Sequence, residues 1–334
     1  MRRKTWAWVL TATLATAIAA TLAFNLSPRP MIAVVAWLFD RGAESTARAL
    51  ERHVPAGGTS RLDLPVGERW PGLAFDLHLP GAAPPPGGWP VLVWIHGGGW
   101  VSGHKGDVAH YLRIVAARGG LATASLDYTL APDATHPVQL QQVHAGLAAI
   151  RARAAELGID PDRVLLAGDS AGAQLAAQLA TAITDPGYAE RLGVAPGTVP
   201  PSALRGVALF CGPYDLRMFQ LDGALGPVLR ATLWGFTGQR DLENNPAIDL
   251  ASVLNHVTPA FPPAFITVGN ADPLKPHSLA LEARLRALGV AVDTLYFPDD
   301  RAPALGHEYQ FNLDDPAGGQ ALQRLLDFVD RQAR

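Results

Sequence analysis

Gly168-Asp169-Ser170-Ala171-Gly172 is a G-x-S-x-G pentapeptide, and its surroundings decide how the chain is read. Before it runs Arg163-Val164-Leu165-Leu166-Ala167, a short apolar stretch suited to a strand buried in a parallel sheet. After it, Leu175, Leu179 and Ile183 recur every four residues, which marks one face of a helix. Strand, tight turn and helix together put the serine at a helix N-terminus, its hydroxyl exposed above the sheet. The two glycines suit a turn whose neighbouring backbone leaves no room for a side chain. Free N–H groups and the helix dipole there favour negative charge, which an attacking alkoxide and a tetrahedral oxyanion both need. A glycine-rich loop holding an ordinary serine is the plainer alternative, and the strand-turn-helix context speaks against it.

A second glycine cluster lies upstream. Pro90-Val91-Leu92-Val93-Trp94-Ile95 reads as another buried strand, followed by His96-Gly97-Gly98-Gly99-Trp100. Three glycines in a row free backbone N–H groups to point at a substrate oxygen, although glycine runs also make ordinary turns. A phosphate loop is excluded, because His104 stands where G-x-x-x-x-G-K-[ST] requires lysine. A dinucleotide fingerprint fails at Ser102, which occupies the last glycine position.

A serine nucleophile needs a base and an acid to orient it, and after such an elbow they follow in the order Asp or Glu, then His. Three histidines lie downstream of Ser170. His256 precedes prolines, and His277 stands at the start of an expected helix. His307 follows a strand expected over 292–297, which makes it the candidate base. A zinc reading of His307-Glu308 fails, since H-E-x-x-H would need histidine where Phe311 stands. For the acid, the strand Phe265-Ile266-Thr267-Val268 leads into Gly269-Asn270-Ala271-Asp272-Pro273-Leu274. Asp272 is favoured as the orienting carboxylate. Its plainer reading is a helix N-cap with Pro273 at the first helical position, and Asp299 and Asp300 are rivals nearer His307.

These motifs, with Asp127-Tyr128-Thr129-Leu130-Ala131-Pro132-Asp133 and Gly306-His307-Glu308, resemble the α/β-hydrolase superfamily. Within it the chain is similar to bacterial carboxylesterases of the hormone-sensitive-lipase-like group over roughly residues 65–330. The resemblance implies a mostly parallel central sheet flanked by helices, with a helical cap. It implies Ser170, Asp272 and His307 as a catalytic triad, and Gly98, Gly99 and Ala171 as oxyanion donors. It implies cleavage of short to medium acyl esters, a small-molecule substrate and no metal or organic cofactor. Amide or peptide hydrolysis by the same triad is the competing chemistry, and a non-catalytic binder on the same fold the competing class. The chain departs from the group's pattern at Thr129 and Asp133, where Arg and Glu are common. At Glu308 it departs again, where glycine is more usual.

Composition agrees with an enzyme built on a buried sheet: 49% of the 334 residues are hydrophobic and only 17% charged. A net charge of −3 gives no reason to expect nucleic-acid binding. The single Cys211, in an apolar strand, excludes an intrachain disulfide and reads as a buried thiol. At the N-terminus Arg2, Arg3 and Lys4 precede an uncharged stretch over 5–28, close to the length that spans a bilayer. Residues 1–28 are therefore expected to be a membrane anchor or a signal peptide, with the hydrolase outside the cytoplasm. Residues 29–60 are expected to hold N-terminal cap helices, in two pieces over 31–39 and 46–53. Residues 61–334 are expected to form the catalytic domain, with a cap insertion near 213–262. Trp100, Tyr214 and Trp234 are candidate walls of an apolar substrate pocket, with Phe219, Leu229, Leu233 and Phe236 as further apolar residues of the insertion.

Overall fold

Eight strands make one sheet: β1 (Thr59–Pro65), β2 (Ala74–Leu79), β3 (Trp89–Ile95), β4 (Ala122–Leu126), β5 (Ile159–Asp169), β6 (Leu204–Phe210), β7 (Ala264–Thr267) and β8 (Val292–Leu295). The computed structural model describes residues 2–334. The strand order is β1-β2-β4-β3-β5-β6-β7-β8, with β2 antiparallel to both its neighbours and every pair from β4 to β8 parallel. The helices are α1 (Arg2–Leu26), α2 (Arg29–Glu51), α3 (Ala109–Gly119), α4 (Val138–Ala152), α5 (Ala154–Leu157), α6 (Ser170–Thr184), α7 (Pro186–Arg191), α8 (Gly226–Thr237), α9 (Pro246–Ala251), α10 (Lys275–Ala287) and α11 (Pro316–Ala333).

The central strands are apolar at nearly every position because both faces of the sheet are covered. Successive side chains point to opposite faces. In β3, Val91, Val93 and Ile95 enter one apolar cluster while Leu92 and Trp94 enter a second. In β5, Val164 and Leu166 divide from Leu165 and Ala167 in the same way. In β6, Val207 and Leu209 divide from Ala208 and Phe210. The first face is closed by α4, through Leu140, Val143 and Leu147, and by α6, through Leu175 and Leu179. The second is closed by α3, through Tyr111, Leu112 and Val115, and by α11, through Leu322, Leu325 and Phe328. The result is a three-layer α/β/α fold with all parallel strands ending at one edge, where crevices for ligands form.

Three expectations shift. Residues 29–53, expected as two helical pieces, contain one continuous helix, α2. The polar run Arg41-Gly42 does not break it, and Ile32, Val35 and Leu50 are buried along its length. A domain boundary at residue 60 would cut β1, which begins at Thr59. β5 begins four residues before the expected stretch, because the polar Asp160-Pro161-Asp162 continues the strand beyond the apolar core.

The N-terminal stretch forms α1, whose Trp8, Leu14, Leu22 and Leu26 are exposed. Met1 and the side chains of Arg2, Arg3 and Lys4 lie outside the described residues. Arg240 fastens the end of α1 to the body, donating to Asn25 O at 2.7 Å and Oδ1 at 3.1 Å. Among the described residues no single helix is long and apolar enough to cross a membrane. Thr11–Leu26 and α2, bent by 83° at the break between them, reach that length and composition only as a pair.

Candidate active site

The turn between β5 and α6 is enforced by close packing. A β-carbon on Gly172 would lie 2.0 Å from Ile95 O and 2.4 Å from His96 O, so only glycine lets α6 settle on the end of β3. One on Gly168 would lie 2.5 Å from the backbone of Gly172. Ser170 between them stands at φ +50°, in the left-handed region that residues with a β-carbon avoid. The turn lifts its hydroxyl off the sheet at the first position of α6.

The loop after β8 brings His307 to that hydroxyl. His307 Nε2 is 2.9 Å from Ser170 Oγ, and Nδ1 is 2.8 Å from Asp272 Oδ2. With Nδ1–H donating to the carboxylate, Nε2 is left to accept from the serine. The Asp272 side chain is fully buried, and its Oδ1 accepts the Leu274 N–H at 2.8 Å. One carboxylate thus serves both readings of Asp272: it holds a turn of backbone with one oxygen and the imidazole with the other. The helix proper begins only at Lys275. The two loops are tied together, with Ala271 N–H donating to Leu305 O and Leu305 N–H to Asn270 Oδ1 at 2.8 Å. The rival carboxylates are exposed, Asp299 paired with Lys275. His256 Nε2 bonds Asp249 O and the ring stacks on Tyr188, while His277 is buried in α10.

Burial works against a charged His307, but Cys211, the Asp272 bond and the nearby Glu308 act the other way and lift it well above the usual histidine range. Burial pushes the Cys211 thiol up, so at neutral pH it carries no charge and the pull that persists comes from Asp272 and Glu308. Cys211, Asp272 and His307 bring a sulfur, an oxygen and a nitrogen within 4.8 Å of one another. Both nitrogens of His307 are already engaged, so the cluster offers a metal no free imidazole.

The loop after β3 supplies donors. Gly98, at φ +95°, could carry no side chain, since a β-carbon would lie 2.2 Å from Ser102 O. Its carbonyl accepts from Val101 and Ser102, which curls the loop. No acceptor among the described residues takes the N–H of Gly98 or Gly99. The N–H of Ala171 lies in the first turn of α6, where no intrahelical partner exists. Tyr128 braces the loop: its ring stacks on His96 at 4.4 Å and its hydroxyl reaches the carbonyls of His96 and Gly97, each at 3.2 Å.

A cavity of about 470 Å³ opens over Ser170 and His307. Its walls come from α2, through Leu38 and Phe39, and from the stretch after β6, through Phe219, Leu229 and Leu233. Trp100 lines it as expected, stacked on Phe236 at 4.3 Å and donating to Gln174 at 3.1 Å. Tyr214 and Trp234 do not line it. Tyr214 is wholly buried, its hydroxyl accepting the Gly212 N–H at 3.2 Å. Trp234 sits around α8 from the cavity-lining Leu229 and Thr232, with Arg240 over its ring at 5.5 Å. Phe236 backs Trp100 rather than reaching the cavity.

Comparison with known proteins agrees with this architecture. The family described as the alpha/beta hydrolase fold matches residues 92–301. Carboxylesterase NlhH of Mycobacterium tuberculosis is 30% identical over 289 residues, covering 85% of this chain and 82% of its own. Esterase LipQ of the same organism is 30% identical over 205 residues, 60% of this chain and 47% of its own. The crystal structure of esterase B from Lactobacillus Rhamnosis superposes with a TM-score of 0.75 at 24% identity, covering 91% of this chain and 96% of that one. The chain belongs to the alpha/beta hydrolase family, in its hormone-sensitive-lipase-like branch.

Proposed function

We propose that the protein hydrolyses carboxylic esters through an acyl-enzyme on Ser170. The observation that carries this is the hydrogen-bonded line from buried Asp272 through His307 to Ser170, at the foot of a mostly apolar cavity. Ser170 Oγ attacks the ester carbonyl as His307 Nε2 takes its proton, and Asp272 holds the imidazolium. The oxyanion is received by the N–H groups of Gly98, Gly99 and Ala171. His307 then returns the proton to the departing alkoxide, and water attacks the acyl-enzyme with the same histidine as base. The relatives named carboxylesterase and esterase support the ester over the amide.

The cavity volume and its apolar walls suit short to medium acyl groups. Across a series of nitrophenyl esters from acetyl to palmitoyl, kcat/KM is expected to peak between butyryl and octanoyl and to exceed that of the matching anilides. A maximum at palmitoyl, or on an anilide, would count against this reading.

The N-terminal segment is proposed to direct export, with the hydrolase outside the cytoplasmic membrane and α1 retained as an anchor or removed as a signal. The uncharged stretch over 5–28 and the exposed apolar residues of α1 support this. Removing residues 1–28 leaves α2 and every cavity wall in place, so a soluble protein of undiminished kcat is expected. Full-length protein in the membrane fraction means an anchor, and a shortened soluble form outside the cytoplasm means a cleaved signal. Intact protein free in the cytoplasm rules out both.

A further inference from the structure

Asp169 precedes the nucleophile, yet the acyl-transfer steps above give its carboxyl no task. It is 3% exposed, and its Oδ1 accepts the Trp94 indole N–H at 2.7 Å. Its Oδ2 faces elsewhere. A β-carbon placed on Gly97 would sit 2.2 Å from Asp169 Oδ2 and 3.1 Å from Glu308 Oε1, so two carboxyl groups converge beside that glycine. A proton on one of two such neighbouring carboxyl groups lets it donate to the other and removes the repulsion between them. Burial, and then the charge of Glu308, push Asp169 well above the usual carboxylate range, which places the proton there. Glu308 is the partly exposed member of the pair. It stands at φ +58°, and its Oε1 lies 3.8 Å from His307 Nε2, the nitrogen that faces Ser170.

We propose that Glu308 is a positioning residue: bonded to the Asp169 carboxyl, it clamps the His307 loop to the end of the strand that carries Ser170 and holds a negative charge beside the imidazole. The proposal rests on Ser170 being the nucleophile. The other ionisable groups around this point are Asp272 after β7, Cys211 and Tyr214 after β6, Tyr128 after β4, His96 after β3 and His277 in α10. Burial pushes up Cys211 and both phenols, which are neutral at pH 7. Burial pulls His96 down, and His277 down to about 4, so both are neutral as well. Asp272 and Glu308 are then the two anions that act on His307. Asp272 is fully buried behind the ring, whereas Glu308 opens onto the cavity.

The test is the pH profile of kcat/KM on a good ester substrate. Its acid limb reports protonation of the base in the free enzyme. In wild type the limb is expected above the ordinary histidine value of about 6.5. Glu308→Gln keeps the size and an acceptor for Asp169 but removes the charge. The imidazolium loses a stabilising neighbour, so the limb moves to lower pH by about half a unit to one unit. Asp169→Asn offers Glu308 an amide N–H in place of the acid proton and still accepts from Trp94, so the limb stays where wild type has it. Asp169→Ala removes that donor and is expected to lower kcat by about tenfold with little change in KM. An unmoved limb in Glu308→Gln overturns the proposal, and so does an Asp169→Asn limb that shifts as Glu308→Gln does. Full activity in Ser170→Ala would instead overturn the nucleophile assignment, so the two failures are told apart.

Discussion

Replacing Ser170 with alanine is expected to lower kcat for ester hydrolysis by about four to six orders of magnitude while the protein still folds. The hydroxyl has one side-chain partner, His307 Nε2 at 2.9 Å, on the cavity side of the turn. Its removal leaves no buried polar atom stranded, because the freed nitrogen faces a space that water can enter. Alanine meets the same steric cost at φ +50° as serine does, so the elbow keeps its shape. The measurements are turnover, a thermal melt by circular dichroism, and mass spectrometry after exposure to a phosphonate ester. Wild type should gain the mass of one phosphonyl group and the variant none. A folded variant that turns over substrate at near the wild-type rate would remove Ser170 from the mechanism.

Asp272→Asn is expected to cost about three to four orders of magnitude in kcat. The asparagine oxygen is needed by the Leu274 N–H, which turns the amide nitrogen towards His307. An N–H facing Nδ1 forces the proton onto Nε2, and an Nε2–H cannot accept from Ser170. The imidazolium also loses its nearest anion, so the residual activity should show an acid limb displaced to lower pH. Asp299→Asn and Asp300→Asn, on exposed side chains, should stay within about twofold of wild type. A mild Asp272→Asn beside a crippled Asp299→Asn would reverse the assignment.

The elbow was legible in the sequence because its glycines report contacts that are local in effect. Gly168 and Gly172 mark where β5, α6 and the end of β3 touch, and no other residue fits there. The parallel strands were legible for a similar reason, since burial on both faces leaves an unbroken apolar run. Where a strand continued through polar residues, as at Asp160-Pro161-Asp162, the run understated it. Asp272 and its rivals share a residue type and lie on loops. What separates them is burial, and burial depends on how the loops after β7 and β8 are laced together. The pocket was harder to foresee. Trp234 and Leu233 are neighbours in sequence but about 100° apart around α8, and only the docking of that helix decides which meets the cavity. The meeting of Asp169 with Glu308 left a different trace: glutamate stands where the resemblance to the hormone-sensitive-lipase-like group leads one to expect glycine. The departure was visible, but its partner was hidden by the fold.

The cavity walls and the chemistry are carried by different parts of the chain. Ser170, Asp272 and His307 hang from strand ends anchored in the two apolar cores, whereas Leu38 and Phe39 belong to neither core and are 55% and 45% exposed. Ile32, Val35 and Leu50 hold α2 to the body from other turns of the same helix, while Leu38 and Phe39 sit in the turn that meets the cavity. Substitutions at Leu38 or Phe39 therefore reshape the wall with little penalty to folding. Such a division makes the enzyme evolvable in one direction: its substrate range can drift through neutral changes on α2, while the catalytic edge of the sheet stays under the much tighter constraint of close packing.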